Sequence, residues 1–136
     1  MEENRKAKQG IKSFQDLDVY QRLFRLMSSV HKEIIPKIPK EEKYDLIDQL
    51  RRSSKASPAL LAEGFAKRYQ IRQWRKYLDD AIGEINETIH HITVVIALYQ
   101  EHIDPGLCNR VITEYDYAAR QTFKLKEAWK NFHDKS

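Results

Sequence analysis

Turn formers are scarce in this chain. Four glycines and four prolines occur among 136 residues, whereas sandwiches and barrels spend both at their many turns. The single cysteine, Cys108, excludes an intramolecular disulfide, so nothing points to an oxidising compartment. The longest strongly apolar run, residues 94–98, falls far short of the roughly 20 residues that span a bilayer. The opening MEENRKAKQGIK is charged and has no apolar centre, so a signal peptide is not expected. No glycine-rich phosphate loop occurs and no Ser-His-Asp arrangement is suggested, so neither an enzyme nor a cofactor is expected. These absences lead to the expectation of a cytoplasmic protein with no membrane partner. Its length suffices for one domain with its own core.

What is present is helical periodicity and charge. Residues 1–12 read as a flexible, basic-leaning tail, and residues 13–133 as one domain. Ser13 and Asp16 resemble a capping box ahead of an apolar stripe of Leu17, Tyr20, Phe24, Met27 and Ile34, joined by Leu23 and Val30. This predicts a first helix over 14–35, ended by Pro36 and Pro39. A second helix is expected from about Lys40, with acids Glu41, Glu42 and Asp45 at its positive end. Tyr44, Ile47, Leu50, Leu61 and Phe65 are its apolar contacts, Pro58 its bend near 54–57, and Gly64 its C-terminal cap. The third helix is predicted over 70–102, because three- and four-residue spacing continues through the β-branched cluster at 89–96. Asp104-Pro105 announces a fourth, carrying Leu107, Val111, Tyr115, Ala118, Phe123, Leu125, Trp129 and Phe132. Short connections between four helices imply an all-α, antiparallel up-down-up-down four-helix bundle.

Charge is zoned. Between Arg51 and Lys76 lie eight basic residues (Arg51, Arg52, Lys55, Lys67, Arg68, Arg72, Arg75, Lys76) and one acid, Glu63. From 77 to 109 there is no Lys or Arg, but six acids (Asp79, Asp80, Glu84, Glu87, Glu101, Asp104). Clustered cations displace counterions from phosphate, and aromatics stack on exposed bases. Arg68, Tyr69, Arg72, Trp74, Arg75 and Lys76 interleave the two types, so the eight basic residues are candidate contacts to RNA or DNA. The alternative is a solvated face with Trp74 in the core.

Within 49–64 a run of small residues surrounds Pro58 (Ser53, Ser54, Ala56, Ser57, Ala59, Ala62), suited to tight packing inside a bundle or to docking of another subunit. Gln49, Arg52, Ala56 and Glu63 fall on one face by helical spacing. With Pro58 and Gly64 they form a candidate oligomer interface, in which Arg52 is expected to meet Glu63 of a neighbouring copy. Head-to-tail contact of basic zone and acidic third helix would close into a ring where the rotation permits. Glu87-Thr88-Ile89-His90 has the Glu-x-x-His form, and Glu84, Glu87 and His91 share a face. No second Glu-x-x-His exists to complete a di-iron set, so no metal is expected. Cys108, in the first turn of the fourth helix, stands where the helix dipole lowers a thiol pKa, or is merely a small residue at a helix start.

Gln49-Leu50-Arg51-Arg52, Pro58, Ala62-Glu63-Gly64 and Ala81-x-Gly83-x-x-x-Glu87 together resemble the pattern of the 23S rRNA intervening-sequence family. So does the opening Phe14-Gln15-Asp16-Leu17-Asp18-Val19-Tyr20. The resemblance spans about residues 13–132. It departs at Leu60-Leu61, where the family has Asn-Ile, and at Glu84, where it often has Ser. That family is similar in fold to the accessory variability proteins of diversity-generating retroelements. The resemblance therefore implies a homopentameric ring that binds nucleic acid, as partner of a reverse transcriptase or as an rRNA intervening-sequence protein. The alternative is a structural adaptor whose basic zone meets an acidic protein partner.

Overall fold

The computed structural model describes residues 10–135, with side chains through Trp129. Four α-helices carry the fold: α1 (Asp18–Ser29), α2 (Leu46–Phe65), α3 (Ile71–Tyr99) and α4 (Pro105–Lys135). No strand occurs among the described residues. Most of the expected tail, and the side chain of Phe132, lie outside what is described.

The entry to α1 follows its sequence signal. The Gln15 amide donates to Ser13 Oγ (3.2 Å), and Asp16 Oδ2 accepts from the amides of Lys12 and Ser13 (both 3.1 Å). This capping box closes a 3-10 turn at Phe14–Asp16, and α1 begins two residues beyond it, at Asp18. At its far end α1 widens into a π turn at Val30–Ile34 and then a 3-10 turn at Ile35–Lys37. Pro36 has no amide hydrogen, and its ring would collide with the carbonyl four residues back in a regular helix. The second helix starts later than expected. Lys40–Glu42 is a separate 3-10 turn, and α2 begins at Leu46.

Pro58 does not interrupt α2, which runs unbroken from Leu46 to Phe65. Gly64 is not its cap. It lies inside the helix, buried, and Ala66 follows as the capping residue. A β-carbon at Gly64 would stand 2.5 Å from Tyr77 Cβ and 3.0 Å from Trp74 Cε3. Glycine is thus required here for close approach of α2 to α3. At α4 the proposed start holds: the Gly106 amide donates to Asp104 Oδ1 (2.9 Å) and the Cys108 amide to the Asp104 carbonyl (3.3 Å).

Helix α2 packs against α3, α3 against α4, and α1 against both α2 and α4. Leu17, Leu23, Val30, Leu50, Leu61, Trp74, Leu78, Ile85, Ile92 and Tyr115 are completely buried between them. Three residues of the expected apolar stripes turn outward instead: Phe24 (50% exposed), Tyr44 (87%) and Phe123 (51%). Tyr44 precedes α2 rather than belonging to it, so the helical spacing that placed it inward does not apply. The serines at 53, 54 and 57 are buried. Ser53 Oγ accepts from Thr88 Oγ1 at 2.8 Å, joining α2 to α3 through a pair of hydroxyls.

Candidate nucleic-acid interface

The α2–α3 connection is a short turn over 66–70 between two long helices. Lys67, Arg68, Arg72, Arg75 and Lys76 occupy this turn and the first turns of α3, at one end of the molecule. Lys67, Arg72 and Lys76 are exposed, and Arg68 and Arg75 are half-buried. The fold holds some of them in place. Arg68 donates from Nη1 to the Phe65 carbonyl (3.0 Å) and from Nη2 to Tyr69 Oη (3.2 Å), with its guanidinium 4.1 Å above the Phe65 ring and 4.5 Å from that of Tyr69. Lys67 Nζ lies 5.6 Å from the Tyr77 ring centroid. Lys76 pairs with Asp80 at 2.9 Å, an exposed i,i+4 contact of small energetic weight. Arg75 Nη1 is shielded from solvent and has no hydrogen-bond partner. Arg72 has neither an ion pair nor a hydrogen bond among the described residues.

The aromatic residues of this zone divide by burial. Tyr69 is 75% exposed, and its ring is available for stacking. Trp74 is completely buried and cannot stack on a base. It makes edge contacts with Phe65 (6.1 Å) and Trp129 (5.6 Å), a three-ring knot that ties the ends of α2 and α4 to the start of α3.

The other three basic candidates stand apart. Arg51 and Lys55 are exposed on α2, about 20 Å along the axis from Lys67 at 1.5 Å per residue. They lie close enough to His31 to help hold its pKa below the usual histidine value, although burial of the ring is the larger cause. His31 Nε2 is 3.1 Å from Ser54 Oγ. Arg52 has its carboxylate partners within its own chain rather than in Glu63. Its Nη1 is 3.3 Å from Glu84 and its Nη2 bonds Glu87. These bonds raise the Arg52 pKa, through Glu87 first, and lower that of Glu87, through Arg52 first.

Of the expected assembly seam, Pro58 and Gly64 are buried inside the protomer, so their work is internal. Gln49 and Ala56 are half-buried, and Arg52 and Glu63 are exposed. The Glu84, Glu87 and His91 face is occupied by Arg52, with His91 Nε2 3.5 Å from Glu87. No group of three or more His, Cys, Asp or Glu among the described residues is arranged to hold a metal ion. Cys108 is completely buried, and burial followed by the nearby Asp104 charge pushes its thiol pKa up, against the expected effect of the dipole. Among the described residues, no helix is long and apolar enough to cross a membrane.

Sequence reasoning missed the contacts between α1 and α4. Arg22 donates from Nε to Gln121 Oε1 (3.0 Å), pairs with Glu114, and lies 4.3 Å over the Tyr117 ring. These partners are more than 90 residues apart, and no periodicity connects them. Lys126 and Asp79 likewise join α4 to α3 at 2.7 Å.

Comparison with curated proteins and with solved structures returns no match. The family model of the 23S rRNA-intervening sequence protein matches residues 15–124. That match runs from within the first 3-10 turn through α1, α2 and α3 and about two thirds of the way along α4, taking in the basic turn. The chain therefore belongs to the 23S rRNA-intervening sequence protein family.

Proposed function

We propose that this protein binds nucleic acid without catalysis, making phosphate contacts through Lys67, Arg68, Arg72, Arg75 and Lys76. The observation that carries this reading is the composition of the α2–α3 turn. Five cations gather there, and among the described residues Lys76 alone of them has a carboxylate partner. Tyr69, exposed beside Arg68, offers a stacking face. Arg51 and Lys55 extend the positive surface along α2, whereas Arg52 is neutralised by Glu84 and Glu87 and drops out as a principal contact.

The proposal includes an up-down-up-down bundle. In support, Glu42 meets Tyr99, Ser53 meets Thr88 and Gly64 would meet Tyr77, an order that descends along α3 as α2 ascends. It also includes assembly of protomers into a homopentameric ring, with the exposed Glu63 and half-buried Gln49 and Ala56 at the seam. A ring would present several copies of the basic turn to one strand, and linked weak contacts add up to useful avidity. The family assignment is in keeping with an rRNA intervening sequence as the setting; RNA as the nucleic acid and a reverse transcriptase as partner are further parts of the proposal.

Binding to a structured RNA across a salt series tests the proposal. Affinity should fall linearly with log salt, and replacing Arg72 and Arg75 by Gln should flatten the slope by about 1.4 to 1.8, two contacts at 0.7 to 0.9 each. No binding at low salt overturns the reading and leaves the acidic-protein adaptor as its replacement.

A further inference from the structure

Between α1 and α4 lies an open recess of about 300 Å³. Its floor is apolar: Leu26 and Val111 are buried and Leu107 is half-buried. Its rim is cationic, with Arg22, Arg25 and Arg110 against one acid, Glu114. Arg22 is committed to Glu114, Gln121 and the Tyr117 ring, so it forms a fixed wall whose charge is already balanced. Arg25 and Arg110 are exposed and have no ion pair or hydrogen bond among the described residues. Two guanidiniums without an ion pair or hydrogen bond among the described residues therefore line an apolar-floored recess, with the Asp104 carboxylate on the Gly106 side of Arg110.

That combination selects a ligand with an anionic head and a flat or apolar body. Guanidinium forks match phosphate oxygens geometrically, and apolar floors with few polar groups are what small-molecule sites of this size use. Ser29, on the lining, and Glu114 add a hydroxyl and a carboxylate able to meet donors on a base edge. The recess is separate from the basic turn. Residues 107–114 follow the α3–α4 connection, while the basic turn precedes α3, whose 29 residues extend about 43 Å.

We infer that the α1–α4 recess binds one nucleotide unit, with its phosphate at Arg25 and Arg110 and its base against Leu26, Leu107 and Val111. The unit is either a free nucleotide or one residue of a strand, since the chemistry is the same. The test is a titration of methyl-labelled protein at low salt with adenosine monophosphate, inorganic phosphate and a six-residue oligoadenylate, read at the Leu26, Leu107 and Val111 methyls. The nucleotide should shift these methyls, with at least tenfold weaker binding in R25Q/R110Q. Tighter binding of the oligonucleotide at the same methyls assigns the unit to a strand, and tighter binding of the monophosphate assigns it to a free nucleotide. Both altered side chains are exposed, and the single R25Q and R110Q variants give the same readout should the double variant misfold. Methyls that respond to no ligand, a response to phosphate as strong as to the nucleotide, or an affinity indifferent to R25Q/R110Q each overturn the inference.

Discussion

Replacing Gly64 by Ala sets two effects of opposite sign against each other at the base of the basic turn. Intrinsic helix propensity favours alanine over glycine by about 1 kcal/mol in a helix interior, and somewhat less so near a C-terminus. Packing opposes it. The added methyl would stand 2.5 Å from Tyr77 Cβ, 2.8 Å from Tyr77 Cγ and 3.0 Å from Trp74 Cε3. Tyr77 Cβ is fixed to the α3 backbone and Trp74 is locked in the three-ring knot, so neither can swing aside. Relief requires α2 and α3 to separate, and overpacking of this kind costs about 1–3 kcal/mol, toward the upper end when rigid atoms are struck. The balance is a net loss of about 1–2 kcal/mol, or roughly 4–8 °C in Tm for a domain of this size. Gly83→Ala is the matched control. Gly83 is exposed within α3, and a β-carbon there meets nothing within 4 Å. Propensity acts alone, and that variant should gain about 0.5–1 kcal/mol. Urea unfolding followed by circular dichroism measures both. A G64A protein as stable as the parent would refute the close-approach reading of α2 on α3, and equal signs for the two variants would refute the reasoning that separates them.

Two further outcomes are expected. Thr88→Val keeps the volume of the side chain but leaves the buried Ser53 hydroxyl without its donor, at a cost of about 1–3 kcal/mol by chemical unfolding. Adding Ser53→Ala should recover part of that loss. His31, held below its usual pKa by burial and by Arg51 and Lys55, takes up a proton more readily in the unfolded chain than in the folded one. Its contribution to stability is complete above about pH 6.5 and declines as the pH falls toward the lowered folded value. Thermal melts between pH 7.5 and 5.5 should therefore show a steeper fall in Tm for the parent than for His31→Gln, and parallel curves would show that His31 is not the group responsible.

The helices were legible because their signals are local. The Ser13/Asp16 box, Asp104-Pro105 and the unbroken spacing through 89–96 each depend on neighbours within a few turns. Misplacements arose where the same local signal admitted two environments. Phe24 and Phe123 fit an apolar stripe by spacing, yet they sit at its margin and face solvent. Gly64 has the look of a helix cap, and only the approach of Tyr77 shows why a side chain is excluded. Trp74 among arginines suggests base stacking until the aromatic knot claims it. Pairings between distant segments, Arg52 with Glu84 and Glu87 or Arg22 with Glu114, depend on how the helices rotate against one another. No count of residues along a single helix supplies that rotation. The α1–α4 recess is hidden for the same reason, since its two walls are about 80 residues apart in the chain.

These corrections change how the positive charge should act. The acids of α3 neutralise Arg52, so the strength of the basic zone moves to the turn, where carboxylates are scarce. Trp74, expected to touch bases, instead helps brace that turn: Phe65 lies under Arg68, and Trp74 and Trp129 lock the helix ends behind it. Cations on such a base lose less conformational freedom on meeting phosphate than the same residues on a mobile loop, which leaves more of the interaction energy for binding. Arg68 illustrates this most clearly, because its guanidinium is held by a carbonyl, a phenol and two rings. Substituting Gly64 would therefore reach the proposed contact surface as well as the core, for the glycine sits one residue before Phe65, where the brace begins.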